Sequence, residues 1–450
     1  MLDLLMKGRL VLPGHVVDDG WIGISGGRIA CIGSGSTIPE SAESVDHSGA
    51  FLLPGAIDGQ THAGSQLGFS GLGPTTAAAA FGGVTTIVDM PYDHPDPITT
   101  GHLLEQKIAA IDEFARTHVA LYGTVTPNPE PSDIAALVDG GVCAFKISSF
   151  EAHPHRFPRI GSAAVLTLLD ALLETDLPVG IHNEDQEIIR ATETAFRAAG
   201  RTMASDHSAS RPVAAEMSAT ATFLELAASR QARAHIVHIS CPEGFAVVAE
   251  HRARGEPATA EMCLHYLLFD AETDVPRLGA KLKVNPPIRT GVRDALWRVV
   301  ESGSASFVSS DHSAWSLERK SSSNIFEVMA GMPGLEALLP GFFTEALRRR
   351  KSPEGAALMT AEFLSERPAR FFGLAGKGRL APNADADIVV LMPGESVYDS
   401  TRNPEGPGWS AYHGMTFAAR PIATYVDGQL AYDGTSVTEA CAGRFARRGA

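Results

Sequence analysis

The sequence is short of several things, and each shortage excludes a class of protein. Its five cysteines, Cys31, Cys143, Cys241, Cys263 and Cys441, are odd in number and include no Cys-x-x-Cys pair. A secreted disulfide framework is therefore not expected, and a reducing cytoplasm fits better. Basic residues are outnumbered 37 to 52, which leaves a net charge of -15. That balance argues against nucleic acid or an anionic membrane surface as partner. The one compact basic run, Arg348 to Lys351, suits a helix C-terminus, where cations are favoured. No apolar run approaches the ~20 residues that span a bilayer. The opening "MLDLLMKGRLV" lacks the apolar core and cleavage site of a signal peptide. There is no tandem repeat, and "GSGSTI" at Gly33 falls short of a dinucleotide fingerprint.

What is present is length and alternation. At 450 residues with 44% hydrophobic content, the chain suits one large domain with a satellite. Both ends read as short strands broken by Gly, Asp and Pro: "LLMKGRLVL", "WIGISGGRIACIG" and "AFLL" at the start, "ADIVVLMP" and "PIATYVDGQLAYDG" at the finish. "VDGQL" carries an Asp-Gly hairpin signal. The expectation is one small β-sandwich domain made of residues 1–53 and 376–450. Between them, strand-like runs end near His62, Met90, Val125, Ser148, His182, Ser240, Leu264 and His312. Helical patterns separate most of them; Leu104, Ile108, Ile111 and Phe114 share one helix face. This is the pattern of a (β/α)8 TIM barrel, over residues 54–375.

Barrel enzymes place their chemistry at the C-terminal ends of the strands. Here those ends carry Gln60 and His62, then Lys146, His182, His238 and Asp311. A single strand-end His is usually a hydrogen-bonded loop residue, but five such ends together form a coherent set. Lys146 sits between Phe145 and Ile147 and so faces the barrel interior, where a charged amine is costly unless neutralised, paired or modified. Carbon dioxide would convert that amine to an anionic carbamate able to bridge two divalent cations. His182 and His238 would complete one site. His62, Asp311 and Gln60 would complete the other. Imidazole and carboxylate suit zinc, with manganese, cobalt or iron as alternatives. His235, three residues before His238, faces the other way and is read as structural; Asp58 is read as a support of the strand end.

These segments resemble the cyclic amidohydrolases, a family that includes dihydropyrimidinase, hydantoinase, allantoinase and dihydroorotase. "LLPGAIDGQTH" is similar to the family's Pro-Gly-x-x-Asp-x-His-x-His, and "AFKISSF" to its carbamylated-lysine segment. "IHNED", "HIVHIS", "AEMCLHYLLF", "KVNPPIR", "SSDHS" and "KGRLAPNADADIVVL" follow in family order, so the resemblance covers nearly the whole chain. "DMPYDHPDPITT", "SRPVAAEMSAT" and "SFEAHPHRFP" resemble allantoinase most, and no Tyr follows Lys146 where hydantoinases place one. The resemblance implies hydrolytic opening of a small cyclic ureide or imide, with Asp311 passing a proton from water to the leaving nitrogen. It also implies a ring held near Asn285, Ser313 and Ala330, a homotetramer or homodimer, and no further organic cofactor. Hydantoinase, dihydropyrimidinase or imidase activity on a related ring is the neighbouring reading. One residue departs from the pattern: Gln60 stands where the family has His. Three outcomes stay open: a weakened or harder-cation site, a single metal on Lys146, His182 and His238, or a non-catalytic scaffold relative.

Overall fold

The computed structural model describes residues 1–439 and 443–449, so Cys441 lies outside the described residues; the other four cysteines are unpaired. The chain begins with β1 (Leu2–Leu12), β2 (His15–Ser25), β3 (Arg28–Ser34) and β4 (Ser41–Pro54). The barrel strands follow: β5 (Ala56–Thr61), β6 (Val84–Asp89), β7 (His118–Gly123), β8 (Ala144–Ser148), β9 (Val179–His182), β10 (Ala234–Ile236), β11 (Ala258–Ala260), β12 (Met262–Cys263) and β13 (Val308–Ser309). The chain then returns through β14 (Ile388–Val397), β15 (Thr416–Val426) and β16 (Gln429–Tyr432).

The terminal strands form one seven-stranded sheet in the order β16-β15-β14-β4-β1-β2-β3. Ile29 of β3 and Tyr425 of β15, far apart in that order, belong to one buried cluster, so the sheet folds over on itself as the small β-sandwich unit. Alternation along β4 joins this unit to the barrel. Ala50 and Leu52 face the sandwich core, while Phe51 and Leu53 pack into the barrel cluster. The Asp427-Gly428 hairpin forms as expected, with both residues in left-handed backbone as a tight two-residue turn requires. The C-terminal segment leaves this sheet and runs under the barrel floor, where Ala446 N–H donates to Val119 O.

Strands β5 to β11 form a seven-stranded parallel sheet, and β5, β6 and β7 are buried along their whole length, as strands covered on both faces must be. The seventh barrel strand is broken at Glu261 into β11 and β12. β12 pairs in parallel with β13, and a bridge between His312 and Thr61 brings β13 back to β5. His62 N–H completes the closure by donating to His312 O. The architecture is the expected (β/α)8 barrel with its β-sandwich companion. The helix Gly101–Phe114 lies outside the barrel with Leu104 and Ile111 buried, and the helix Leu335–Arg350 ends on the Arg348–Arg350 run, as its charge pattern requires. No helix among the described residues is long and apolar enough to cross a membrane.

Candidate active site

Gln60, His62, Lys146, His182, His238 and Asp311 line one cavity of about 310 Å³, with Asn285, Ser313 and Ala330 on its walls. Every candidate proposed from sequence therefore meets at the C-terminal end of the barrel. Two of them, His238 and Asp311, have positive φ values of 42° and 49°. Non-glycine residues in that conformation are strained and cluster at functional sites. For His238 this sharpens the reading from strand alternation. β10 ends at Ile236, and the backbone twist, not the pleat, turns His238 into the cavity. His235 lies outside it, stacked on Phe307 with its Nδ1 2.9 Å from Thr259 Oγ1.

One half of the site gathers around Asp311. Gln60 Nε2 donates to Asp311 Oδ1 at 2.9 Å, and His62 Nε2 lies 3.3 Å from the same oxygen. Burial alone would raise the Asp311 carboxyl, but the hydrogen bond and charge of His62 outweigh it and hold the group below its ordinary value. Because Asp311 is an acceptor, the orientation of the Gln60 amide is set by the hydrogen bond. Its Oε1 is left buried without a partner. Asp58 supports this half from beneath. It accepts from Ser310 N–H, from Ser310 Oγ at 2.6 Å and from Thr61 Oγ1 at 2.6 Å, tying β5 to the loop after β13. Gly64 allows the turn after His62, since a Cβ there would sit 1.8 Å from Asp93 Oδ1.

The other half is rich in nitrogen. His182 Nδ1 and His238 Nε2 are 3.0 Å apart, and burial holds both imidazoles below their ordinary pKa, in the neutral form that ligates metal. His182 Nε2 is 2.8 Å from Glu184 Oε2, which also accepts from Arg211 Nη1 at 2.6 Å. Burial opposes ionisation of Glu184, yet the Arg211 charge and the His182 contact bring it down to about 2. His182 itself is shifted down, not up, so Arg211 rather than an imidazolium is the cation of this group. Between the halves, Lys146 is 1% exposed, and no hydrogen bond to its Nζ is found among the described residues. Burial brings its amine down to about 8. Beneath it Glu261 accepts from His238 N–H and Ser309 Oγ, and burial pushes its carboxyl up to about 8.

The donor set fits divalent cations. It offers two neutral imidazoles on one side, an imidazole, a carboxylate and an orphaned amide oxygen on the other, and between them a buried lysine amine. A second group with ligand-like spacing, His118, Asp387 and Asp427, lies at the opposite end of the barrel. There Lys377 Nζ already sits 2.6 Å from Asp387 Oδ2 and 3.0 Å from Asp385 Oδ2, so the group is an ionic tie between barrel and sandwich.

A profile of the amidohydrolase family matches residues 51–431. The chain belongs to the amidohydrolase family. Family members are generally binuclear metal-dependent enzymes acting on small cyclic amides, which accords with the two-part site. The chain is similar to an allantoinase of Rubrobacter xylanophilus, 34% identical over 99% of this chain and 97% of the relative. It is also similar to an allantoinase of Deinococcus radiodurans, 33% identical over 99% of each. Among solved structures, an L-hydantoinase (dihydropyrimidinase) from Arthrobacter aurescens superposes with a TM-score of 0.93 at 26% identity, covering 100% of both chains. This amidohydrolase is therefore a hydrolase acting on C–N bonds of cyclic amides.

Several working parts were not singled out from sequence. Glu184 stands two residues after a candidate ligand, and Glu261 is a lone carboxylate in an apolar strand; both signals were available in "IHNED" and "PATAEMCL". The partners Arg211 and Ser309 are distant in the chain, and no local pattern pairs them. Lys107 is another case. It occupies the buried face of the helix Gly101–Phe114 and reaches Asp89 and Asp93, each at 2.7 Å, below His62.

Proposed function

We propose that the chain opens the ring of a cyclic ureide in the manner of an allantoinase, using Asp311 as proton carrier and Lys146 in carboxylated form. The observation that carries the reading is the meeting, in one cavity, of neutral His182 and His238, ionised Asp311 and a buried Lys146 amine without a partner. A buried inward amine without a partner is expensive, and a decayed site would not retain it. This speaks against the scaffold reading.

Zinc, with manganese or cobalt as alternatives, would be held by His182, His238 and Lys146 on one side and by His62, Asp311 and Gln60 on the other. There it would supply a Lewis acid that activates water and polarises the ring carbonyl. The remaining steps belong to the chain. Gln60 and His62 both engage Asp311 Oδ1, which leaves Oδ2 to take the proton of water and return it to the leaving ring nitrogen. Asn285, whose Oδ1 is buried without a partner, accepts a ring N–H. The Ser313 hydroxyl and the backbone at Ala330 flank the opposite edge. Trp315 Nε1 donates to Ala330 O at 2.8 Å and fixes that backbone. The full structural likeness to a hydantoinase supports hydantoin or dihydropyrimidine rings as the second reading. We infer further a cytoplasmic homotetramer or homodimer, which light scattering would check.

The test is a panel of allantoin, hydantoin, dihydrouracil and succinimide, with ring opening followed for the wild type and for Asp311→Asn. The expected result is opening of allantoin, reduced on the order of 10²–10⁴-fold in the variant. A protein that binds metal yet opens none of the four rings would overturn the reading.

A further inference from the structure

The residues above account for the cavity floor, where the ring is opened. The mouth contains one cation that they do not use. Arg156 sits on the loop after β8, is half-buried, and lines the same cavity. Its Nη1 donates to Ser65 O at 2.9 Å, which joins its loop to the short helix Gly64–Leu67 after His62. Among the described residues it has no carboxylate partner.

Apart from Lys146 on the floor, the other Lys and Arg side chains lining the cavity, Arg211 and Lys283, have partners. Arg211 is neutralised by Glu184 and Glu193. Lys283 Nζ is held by the carbonyls of Ile325 at 2.7 Å and Val328 at 2.6 Å. Phe150, Phe157 and Trp315 also line the cavity, together with His153, whose Nδ1 accepts from the Arg156 backbone N–H at 3.1 Å. Burial lowers the Arg156 pKa; Asp93 opposes this but is committed to Lys107, and Arg319 repels. A guanidinium carries five donors in a fixed fork, and a single bond to a backbone carbonyl leaves most of them free.

We propose that Arg156 is a specificity-determining residue that receives the exocyclic substituent of the substrate through a planar oxygen acceptor, a ureido carbonyl or a carboxylate. The geometry is one of depth. A ring bound at buried Lys146 and Asp311 projects its substituent towards the half-exposed end of the cavity, where Arg156 stands. Alkyl substituents meet only the aromatic walls there and gain nothing from the guanidinium. The inference rests on the cyclic-amide reading of the floor and adds to it which rings the enzyme prefers.

The experiment compares wild type, Arg156→Met and Arg156→Lys on allantoin, hydantoin-5-acetic acid and 5-methylhydantoin. Loss of a charge-assisted hydrogen bond predicts a fall in kcat/KM of roughly 10–100-fold for allantoin and hydantoin-5-acetic acid, carried mainly by KM. The 5-methylhydantoin value should stay within about twofold, and Lys should recover part of the loss, more for the carboxylate than for the ureide. An equal loss on all three rings would mean that Arg156 only ties its loop to Ser65, and the proposal would fall. If Arg156→Met does not fold, Arg156→Lys carries the same comparison. Calorimetric binding of the three compounds provides a readout independent of turnover. A wild type that binds the acceptor-bearing rings more tightly but opens none would refute the floor chemistry alone. A wild type that opens all three without preference would refute the role of Arg156 alone.

Discussion

Changing Gln60 to His should destabilise the metal-free protein and leave the metal-loaded protein about as stable as the wild type. In the metal-free molecule, Gln60 Nε2 donates to ionised Asp311 at 2.9 Å inside a buried site. A hydrogen bond to a charged acceptor contributes ~1.5–3 kcal/mol, and an imidazole does not reproduce the amide's reach and direction. Gln60→His should therefore lower the melting temperature of the metal-free protein. In the loaded protein tighter metal binding offsets that loss. The orphaned Oε1 is a neutral, weakly basic oxygen, whereas imidazole is a preferred ligand of zinc. Changes of this kind around a metal alter affinity on the order of 10–100-fold, equivalent to ~1.4–2.7 kcal/mol. The two effects are of similar size and opposite sign, so the rise in melting temperature on adding zinc should be larger in the variant than in the wild type. Mass spectrometry after dialysis against a mild chelator gives the second readout. The wild type should keep one zinc per chain on the His182–His238 side, and the variant should keep two. A wild type that already holds two zinc ions as firmly as the variant, with the same thermal shift, would refute the account of Gln60.

Other consequences follow from the same geometry. Lys146 titrates at about 8, below the ordinary lysine range because of burial. Only the neutral amine takes up carbon dioxide, so reloading of metal-depleted protein should require bicarbonate. Its rate should rise ~10-fold per pH unit up to about pH 8 and flatten above it; a rate independent of pH and bicarbonate would exclude carboxylation. Glu184, with its folded-state pKa lowered to about 2 against an ordinary 4.5, contributes stability that is present above pH 4.5 and lost as pH falls through 2. That contribution is at most roughly 3 kcal/mol, so the difference between wild type and Glu184→Gln in urea unfolding should shrink steadily from pH 5 to pH 2. Lys320 Nζ donates to the carbonyls of Lys283, Met329 and Gly331 at 2.8–3.1 Å, clamping the segment that carries Ala330. Lys320→Met should leave metal content unchanged and raise KM more than it lowers kcat, and a purely global loss of stability without that split would contradict the clamp.

How much of this could be read in advance depended on the range of the interaction. The eight barrel strands were legible because a strand covered on both faces needs an unbroken apolar run, and "GVTTIVDM" or "HVALYGTV" has no other stable use. The candidate ligands were legible because the barrel converts scattered strand ends into one place. Asp58 could be read as a support, and it accepts three hydrogen bonds in that role. What could not be read was pairing at long sequence distance. Glu184 and Arg211, 27 residues apart, meet only because the loop after β9 faces the segment before the helix Val213–Ala228. Strand alternation also gave the right side for His238 for an incomplete reason, since the left-handed backbone there is a tertiary feature with no glycine to announce it.

The two halves of the site stand on separate supports, and this bears on why a ligand position can change without loss of the whole. His182 is oriented by Glu184 and Arg211, a group of charges that touches neither Asp58 nor Gln60. Asp311 is positioned through Ser310 and Asp58, which make no contact with Glu184. Lys146 and the pair Glu261 and Ser309 lie between them. A substitution at Gln60 therefore perturbs its own corner through one hydrogen bond to Asp311 and leaves the imidazole pair intact. The same separation gives a criterion for telling the halves apart. Double variants within one half, such as Gln60 with His62, should be strongly non-additive in metal affinity, whereas Gln60 with Glu184 should come closer to adding, because only Lys146, which acts on both Asp311 and His182, links them.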